Sequence, residues 1–198
     1  MALFKNAIKR GKEPLVFFKC NKQGAEGKDL KNPSPIKSFL RGEKMFYTTL
    51  QSPVGELYIA EESGKIVFIS FEKANVEKGR EKQTPLLSLA ERQLTEYFDG
   101  ARKTFDLPLN PSGTEFYKRV WKALEEIPYG ETRSYKQIAE AVGAPKACRA
   151  VGGANHNNPI VIVLPCHRVI GAQGKLTGYG GGLDKKEYLL SLERRYGK

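Results

Sequence analysis

Residues 134–155 read Ser-Tyr-Lys-Gln-Ile-Ala-Glu-Ala-Val-Gly-Ala-Pro-Lys-Ala-Cys-Arg-Ala-Val-Gly-Gly-Ala-Asn, and carry the marks of two helices joined by a turn. Ser134 is a good helix N-cap, because its hydroxyl can accept from a backbone N–H that the first turn leaves open. Ile138, Ala139 and Val142 then fall on one face, and Gly143 supplies a stop. Pro145 suits the start of a following helix that runs through Arg149 to about Asn155. Helix, glycine-containing turn and helix form the outline of a helix-turn-helix DNA reader, an outline that any small helical bundle shares.

Toward the amino terminus, Thr114 can cap a helix with Phe116, Val120 and Leu124 at i, i+4 spacing and Trp121 beside them, until Pro128-Tyr129-Gly130 breaks it. On the other side, Asn158-Pro159 lead into Ile160-Val161-Ile162-Val163-Leu164. An unbroken apolar run between two prolines predicts a buried extended segment. It delivers Pro165-Cys166-His167-Arg168-Val169-Ile170 from the core. A loop with six glycines between Gly171 and Gly182 follows, then a last amphipathic helix carrying Tyr188, Leu189 and Leu192.

The preceding third reads differently. Residues 46–50, 56–60 and 66–71 are apolar-rich runs separated by Ser52-Pro53-Val54-Gly55 and Glu62-Ser63-Gly64-Lys65, which predicts an antiparallel meander. Thr84 and Pro85 open a helix with Leu86, Ala90 and Leu94 on its inner face and Gly100 at its end. Turn formers crowd residues 107–113, so the expected organisation is an α+β protein of two lobes. A small antiparallel-sheet lobe occupies 45–111 and a helical lobe with the helix-turn-helix occupies 112–198. Residues 1–44 form a basic amino-terminal extension read as a solvated tail, with a DNA-contacting arm or an added strand as the alternatives.

Charge points to a polyanionic partner. The formal net charge is +11, and Lys and Arg displace counterions from phosphates. Residues 1–44 hold 11 Lys and Arg against 4 Asp and Glu, residues 45–111 hold 8 against 10, and residues 112–198 hold 14 against 8. Basicity therefore sits at the two ends, with the middle as scaffold. No apolar stretch nears the roughly 20 residues of a membrane-spanning helix, and the run at 15–18 is too short for a signal-peptide core. An intracellular protein is expected, cytoplasmic in a prokaryote or nuclear in a eukaryote, with no membrane partner. Cys20, Cys148 and Cys166 are too scattered for a disulfide framework, and no Cys-x-x-Cys pair suggests zinc.

A cysteine followed by histidine has three readings: a buried structural thiol, half of a Cys-His hydrolase pair, or an alkyl-accepting thiolate. Two features favour chemistry over structure. Pro165 fixes the segment ahead of a glycine-rich loop, and the segment follows closely on the candidate DNA-reading helix.

Pro-Cys-His-Arg-Val-Ile at 165–170 and Arg-Ala-Val-Gly-Gly-Ala at 149–154, with Ile-Pro-Tyr-Gly at 127–130 and Ser134-Tyr135, resemble the alkylguanine-DNA alkyltransferases, also called methylated-DNA:protein-cysteine methyltransferases. The resemblance spans about residues 45–198 and is dense from Thr114 to Glu193. It implies a ribonuclease-H-like amino-terminal lobe, a winged-helix-like carboxy-terminal lobe, and direct-reversal DNA repair without a cofactor; zinc, present in some relatives, lacks ligands in this sequence. The alkyl group would pass irreversibly from guanine O-6, and possibly thymine O-4, to Cys166. The protein would act as a monomer on double-stranded DNA containing alkylated guanine, from the minor groove.

Residue by residue, the resemblance implies that Cys166 is the nucleophile. His167 removes its proton through a water and Glu193 orients His167. Asn158 bonds near the thiol, Tyr135 donates to guanine N-3 with help from Lys186, and Tyr179 lines the base pocket. Arg149 is the finger that enters the base stack, and small Ala150, Gly152 and Gly153 allow close approach, with helix packing as the other reading of the glycines. Ser134 is expected on the DNA-facing side. Two departures stand out: Gly180 occupies a pocket position where relatives often carry Ser or Arg, and Cys148 replaces a small apolar residue.

The alternatives are a non-enzymatic alkylguanine-binding module, against which Cys166 argues, and a helix-turn-helix regulator. A regulator has no need of Cys166, His167 and Glu193 together.

Overall fold

The structure, a computed structural model, describes residues 45–197. The extension 1–44 lies outside the described residues, and with it Cys20 and the arm or strand considered there.

Three strands, β1 (Phe46–Ser52), β2 (Gly55–Glu62) and β3 (Lys65–Ser70), pair antiparallel as the alternation requires. Gly55 and Gly64 take positive φ at the two connections, where a Cβ would be strained. A short strand β4 (Arg80–Glu81) lies parallel to β1, giving the order β3-β2-β1-β4. It was not read from the sequence, because two charged residues carry no alternation. Its pairing rests on Arg80 N–H to Met45 O and Lys82 N–H to Tyr47 O.

Helix α1 (Pro85–Phe98) is capped by Thr84, whose hydroxyl accepts from Leu87 N–H. Its buried stripe is Leu87, Ala90, Leu94 and Tyr97, while Leu86, expected on that stripe, is only partly buried. Helix α2 (Glu115–Glu125) is capped by Thr114 and buries Val120, Trp121 and Leu124. The Trp121 indole N–H donates to Ala154 O, tying α2 to the second helix after it.

Strand β5 (Arg133–Ser134) leads into α3 (Tyr135–Ala141), where Ser134 and Gln137 form a reciprocal capping box. Helix α4 (Cys148–His156) starts three residues later than Pro145 indicated. Ala147 N–H bonds back to Ala144 O, and the fixed φ of Pro145 serves this turn instead of a first helical turn.

In the apolar run at 160–164, Ile160, Ile162 and Leu164 are buried and Val161 and Val163 partly so, yet it is a turn and not an extended segment. Ile160 pairs briefly with Ile69, then Ile162 takes φ +74° and Leu164 N–H returns to Ile160 O. Continuous hydrophobicity reports burial, and backbone direction was left to packing. A 3-10 turn at Cys166–Arg168 and strand β6 (Val169–Ile170), parallel to β5, carry the chain to α5 (Leu183–Tyr196).

The result is an α+β protein with a small sheet in its amino-terminal lobe and a helical carboxy-terminal lobe. One apolar core runs through both, from Leu57 and Ile59 to Val151 and Leu189. Among the described residues no helix is long and apolar enough to cross a membrane.

Candidate active site

Cys166 opens the 3-10 turn directly after Pro165 and is 4% exposed. Its Sγ accepts from the Asn158 amide at 3.1 Å. That amide is itself immobilised, since its Nδ2 also donates to Leu164 O at 2.7 Å and its Oδ1 accepts from Ile160 N–H at 3.0 Å. Burial pushes the Cys166 thiol up. The Asn158 bond, the Lys186 charge and the backbone N–H groups of Cys166 and His167 pull it back only in part. The resting group is a protonated thiol, and reaction requires that the proton be taken away.

His167 is fully buried and places Nε2 2.8 Å from Glu193 Oε1. Burial lowers the imidazole below its ordinary 6.5 against the opposing pull of Glu193. For Glu193, burial alone would raise the carboxyl; bonds and charge from His167 and Arg168 prevail and hold it at about 2. An ionised Glu193 can only accept, so the neutral imidazole carries its hydrogen on Nε2 and a lone pair on Nδ1. Nδ1 is buried and has no partner among the described residues. The site thus holds a base with its free nitrogen unengaged, on the residue next to the thiol.

Glu193 is the hub of a larger network than the sequence suggested. Arg168 grips it through Nε at 2.9 Å to Oε2 and through a terminal nitrogen at 2.9 Å to Oε1, and donates a third bond to Ile127 O at 2.6 Å. Gly130 N–H donates to Oε2 at 3.1 Å and the Tyr97 hydroxyl to Oε1 at 2.8 Å. Arg168 lies inside the Pro-Cys-His-Arg-Val-Ile motif, where its spacing alone does not reveal Glu193 as its partner. Tyr97 had no local signal, because it lies 96 residues from Glu193.

The remaining residues divide into two groups. The fully buried Lys186 donates to Val169 O at 2.6 Å and Thr177 O at 2.9 Å, so its ammonium ties strand β6 to the middle of the glycine loop. The Tyr135 hydroxyl meets Thr177 Oγ1 across that loop at 3.4 Å. Tyr179 buries a hydroxyl that has no partner among the described residues, and burial followed by the nearby Cys166 charge raises it well above the usual phenol range. Its ring sits edge-on to Phe71 at 6.2 Å. Gly180 is exposed, with room for a side chain 3.9 Å from His156 O, whereas a Cβ on Gly181 would strike the Phe71 ring at 2.6 Å.

On the outer surface, Arg149 and Ala150 are exposed on the first turn of α4. A Cβ at Gly152 would touch the Tyr135 ring at 3.9 Å, and one at Gly153 would press on the Tyr117 hydroxyl at 3.3 Å. The absence of a side chain at Gly153 therefore serves helix packing. Ser134 uses its hydroxyl as a cap, and Cys148 is a half-buried free thiol. No group of three or more His, Cys, Asp and Glu among the described residues is arranged to hold a metal ion.

Comparison with known proteins gives a consistent result. The family model described as "6-O-methylguanine DNA methyltransferase, DNA binding domain" matches residues 115–195. Its companion, "6-O-methylguanine DNA methyltransferase, ribonuclease-like domain", matches residues 45–111. The constitutive methylated-DNA–protein-cysteine methyltransferase of Bacillus subtilis is 54% identical over 157 residues, which is 75% of this chain and 95% of that protein. The methylated-DNA–protein-cysteine methyltransferase of Methanosarcina acetivorans is 51% identical over 153 residues, 75% of this chain and 98% of that one. Among solved structures, Mycobacterium tuberculosis OGT in complex with DNA superposes with a TM-score of 0.72 at 48% identity, covering 76% of this chain and 94% of that chain.

Proposed function

The chain belongs to the methylated-DNA–protein-cysteine methyltransferase family and repairs DNA by direct reversal, moving an alkyl group onto a cysteine, and we propose that Cys166 is this acceptor and guanine O-6 the donor. The observation that carries the assignment is the buried Cys166–His167–Glu193 arrangement, in which an ionised carboxylate fixes the imidazole tautomer and leaves Nδ1 open.

In this reading His167 Nδ1 takes the thiol proton through a water, and the thiolate attacks the alkyl carbon in line. The S–C bond forms as the O–C bond breaks, and the electron pair passes onto the guanine ring. Tyr135 donates to N-3, where that charge develops. Asn158 holds Sγ in position, and Lys186 acts through the loop carbonyls it pins. Tyr179 lines the pocket, and bare Gly180 leaves room beside the alkyl group. A thioether does not revert, so each molecule acts once.

DNA is the partner, and the proposed substrate is a duplex with an alkylated guanine turned out of the stack. Arg149 enters through the minor groove and fills the vacated space, offsetting a flipping cost of a few kcal/mol. Ala150 and Gly152 let α4 approach closely, with Ser134 at the same surface. The protein is proposed to work as an intracellular monomer.

The test is intact-protein mass spectrometry after mixing with a duplex that holds one O-6-methylguanine. The expected result is one methyl mass gained on Cys166 and none in Cys166→Ala. Binding without mass gain would support lesion flagging without transfer and overturn the assignment.

A further inference from the structure

We propose that Tyr97, carried by α1 in the amino-terminal lobe, is a positioning residue of the transfer reaction, its hydroxyl setting the basicity of His167 through the carboxylate the two share. The inference deepens the transfer reading and rests on it. Tyr97 is fully buried and donates to Glu193 Oε1 at 2.8 Å, the same oxygen that lies 2.8 Å from His167 Nε2. With an Arg168 terminal nitrogen at 2.9 Å, three donors therefore draw on one oxygen. Arg168 and Gly130 N–H draw on the carboxylate as well.

Each donor disperses charge that would otherwise stabilise a protonated imidazole. An imidazole held permanently as the cation cannot take a proton from Cys166, so a bare carboxylate beside His167 would defeat the base. Three further donors around Glu193, from Tyr97, Arg168 and Gly130, keep its pull on His167 moderate. The phenol suits this task because it stays protonated: burial first, and the Glu193 charge second, raise it well above its ordinary range.

Packing does not account for the hydroxyl. The Tyr97 ring meets Phe98 and Phe105 at 5.5 Å and Tyr129 edge-on at 5.9 Å, contacts that a phenylalanine would keep. The charged and titratable groups facing His167 are Glu193, Arg168 and Lys186, with Cys166 adjoining. Those facing Glu193 are His167, Arg168, Tyr97 and Tyr129. Of these, Tyr97 comes from the amino-terminal lobe, which makes that lobe part of the chemistry.

The chain has two histidines, His156 exposed and His167 buried, so an imidazole NMR titration of the whole protein resolves each. Tyr97→Phe should raise the pH at which His167 takes up a proton by about half a unit or more, roughly threefold in proton affinity. The acid limb of the single-turnover transfer rate should move with it. Phe98→Leu removes part of the same aromatic wall and no hydrogen bond, so it should leave His167 in place. An unmoved His167 in Tyr97→Phe, or an equal shift in Phe98→Leu, overturns the inference. The titration needs no DNA; a wild-type Cys166 that gains no alkyl group would instead count against the transfer reading.

Discussion

At the scale of single residues, burial acts on the proposed acceptor Cys166 and the proposed base His167 toward the same end, the uncharged form. Burial raises the Cys166 thiol and lowers the His167 imidazole, so the neutral pair dominates at neutral pH. Asn158 is the side chain that bonds to the sulfur, and its N–H favours the thiolate. Asn158→Ala should therefore raise the thiol further, moving the pH dependence of Cys166 labelling by iodoacetamide to higher pH, as read by peptide mass mapping. A shift to lower pH would contradict the assigned direction. Glu193→Gln keeps an acceptor for Nε2–H but removes the charge that stabilises the imidazolium, and transfer should slow about 100-fold or more. It also leaves the Arg168 guanidinium buried without its counter-charge, which costs about 3–5 kcal/mol in thermal melts.

Among the elements, the pocket loop and α4 carry the sharpest expectations. The loop is braced by Phe71, whose ring meets both Tyr179 and the space beside Gly181. Gly181→Ala forces that ring aside and should slow transfer, while Gly180→Ala, with open space before it, should fold and melt like the parent. Equal effects of the two in melting and single-turnover assays would sink this account of the loop. On α4, Arg149→Ala should slow transfer from duplex DNA by at least about tenfold and affect a single-stranded substrate less, because the flipping cost of a few kcal/mol arises only in the duplex.

For the molecule as a whole, pH and salt are the informative variables. His167 has a folded pKa below its unfolded 6.5, so the unfolded chain binds that proton first and stability falls as pH drops below 6.5. Glu193, at about 2 against an ordinary 4.5, contributes stability that is complete above 4.5 and is lost as pH falls through about 2. Melts between about pH 7 and pH 2 should show the midpoint falling through the His167 window first and the Glu193 window below 4.5, and Glu193→Gln should flatten the part of the slope below 4.5. A lower part as steep as the parent's would show that Glu193 is not its source. Residues 1–44 carry 11 Lys and Arg against 4 Asp and Glu. Their deletion should flatten the salt dependence of DNA binding by about 0.9 per lost phosphate contact, and an unchanged slope would remove the extension from the DNA interface.

What the sequence determined by itself is whatever depends on near neighbours. Thr84, Thr114 and Ser134 cap their helices because a cap reaches only two or three residues along the chain. The meander, the break after α2 and the placing of Cys166 and His167 together were legible for the same reason. Tertiary structure decided the rest. The run at 160–164 spelled burial but turned at Ile162, since burial alone does not set φ. Two charged residues became β4 only because β1 offered a free edge. Above all, the Glu193 carboxylate gained Arg168, Gly130 and Tyr97 as donors. Which donors surround a buried charge is settled by the packing of elements far apart in sequence, and no local pattern encodes it.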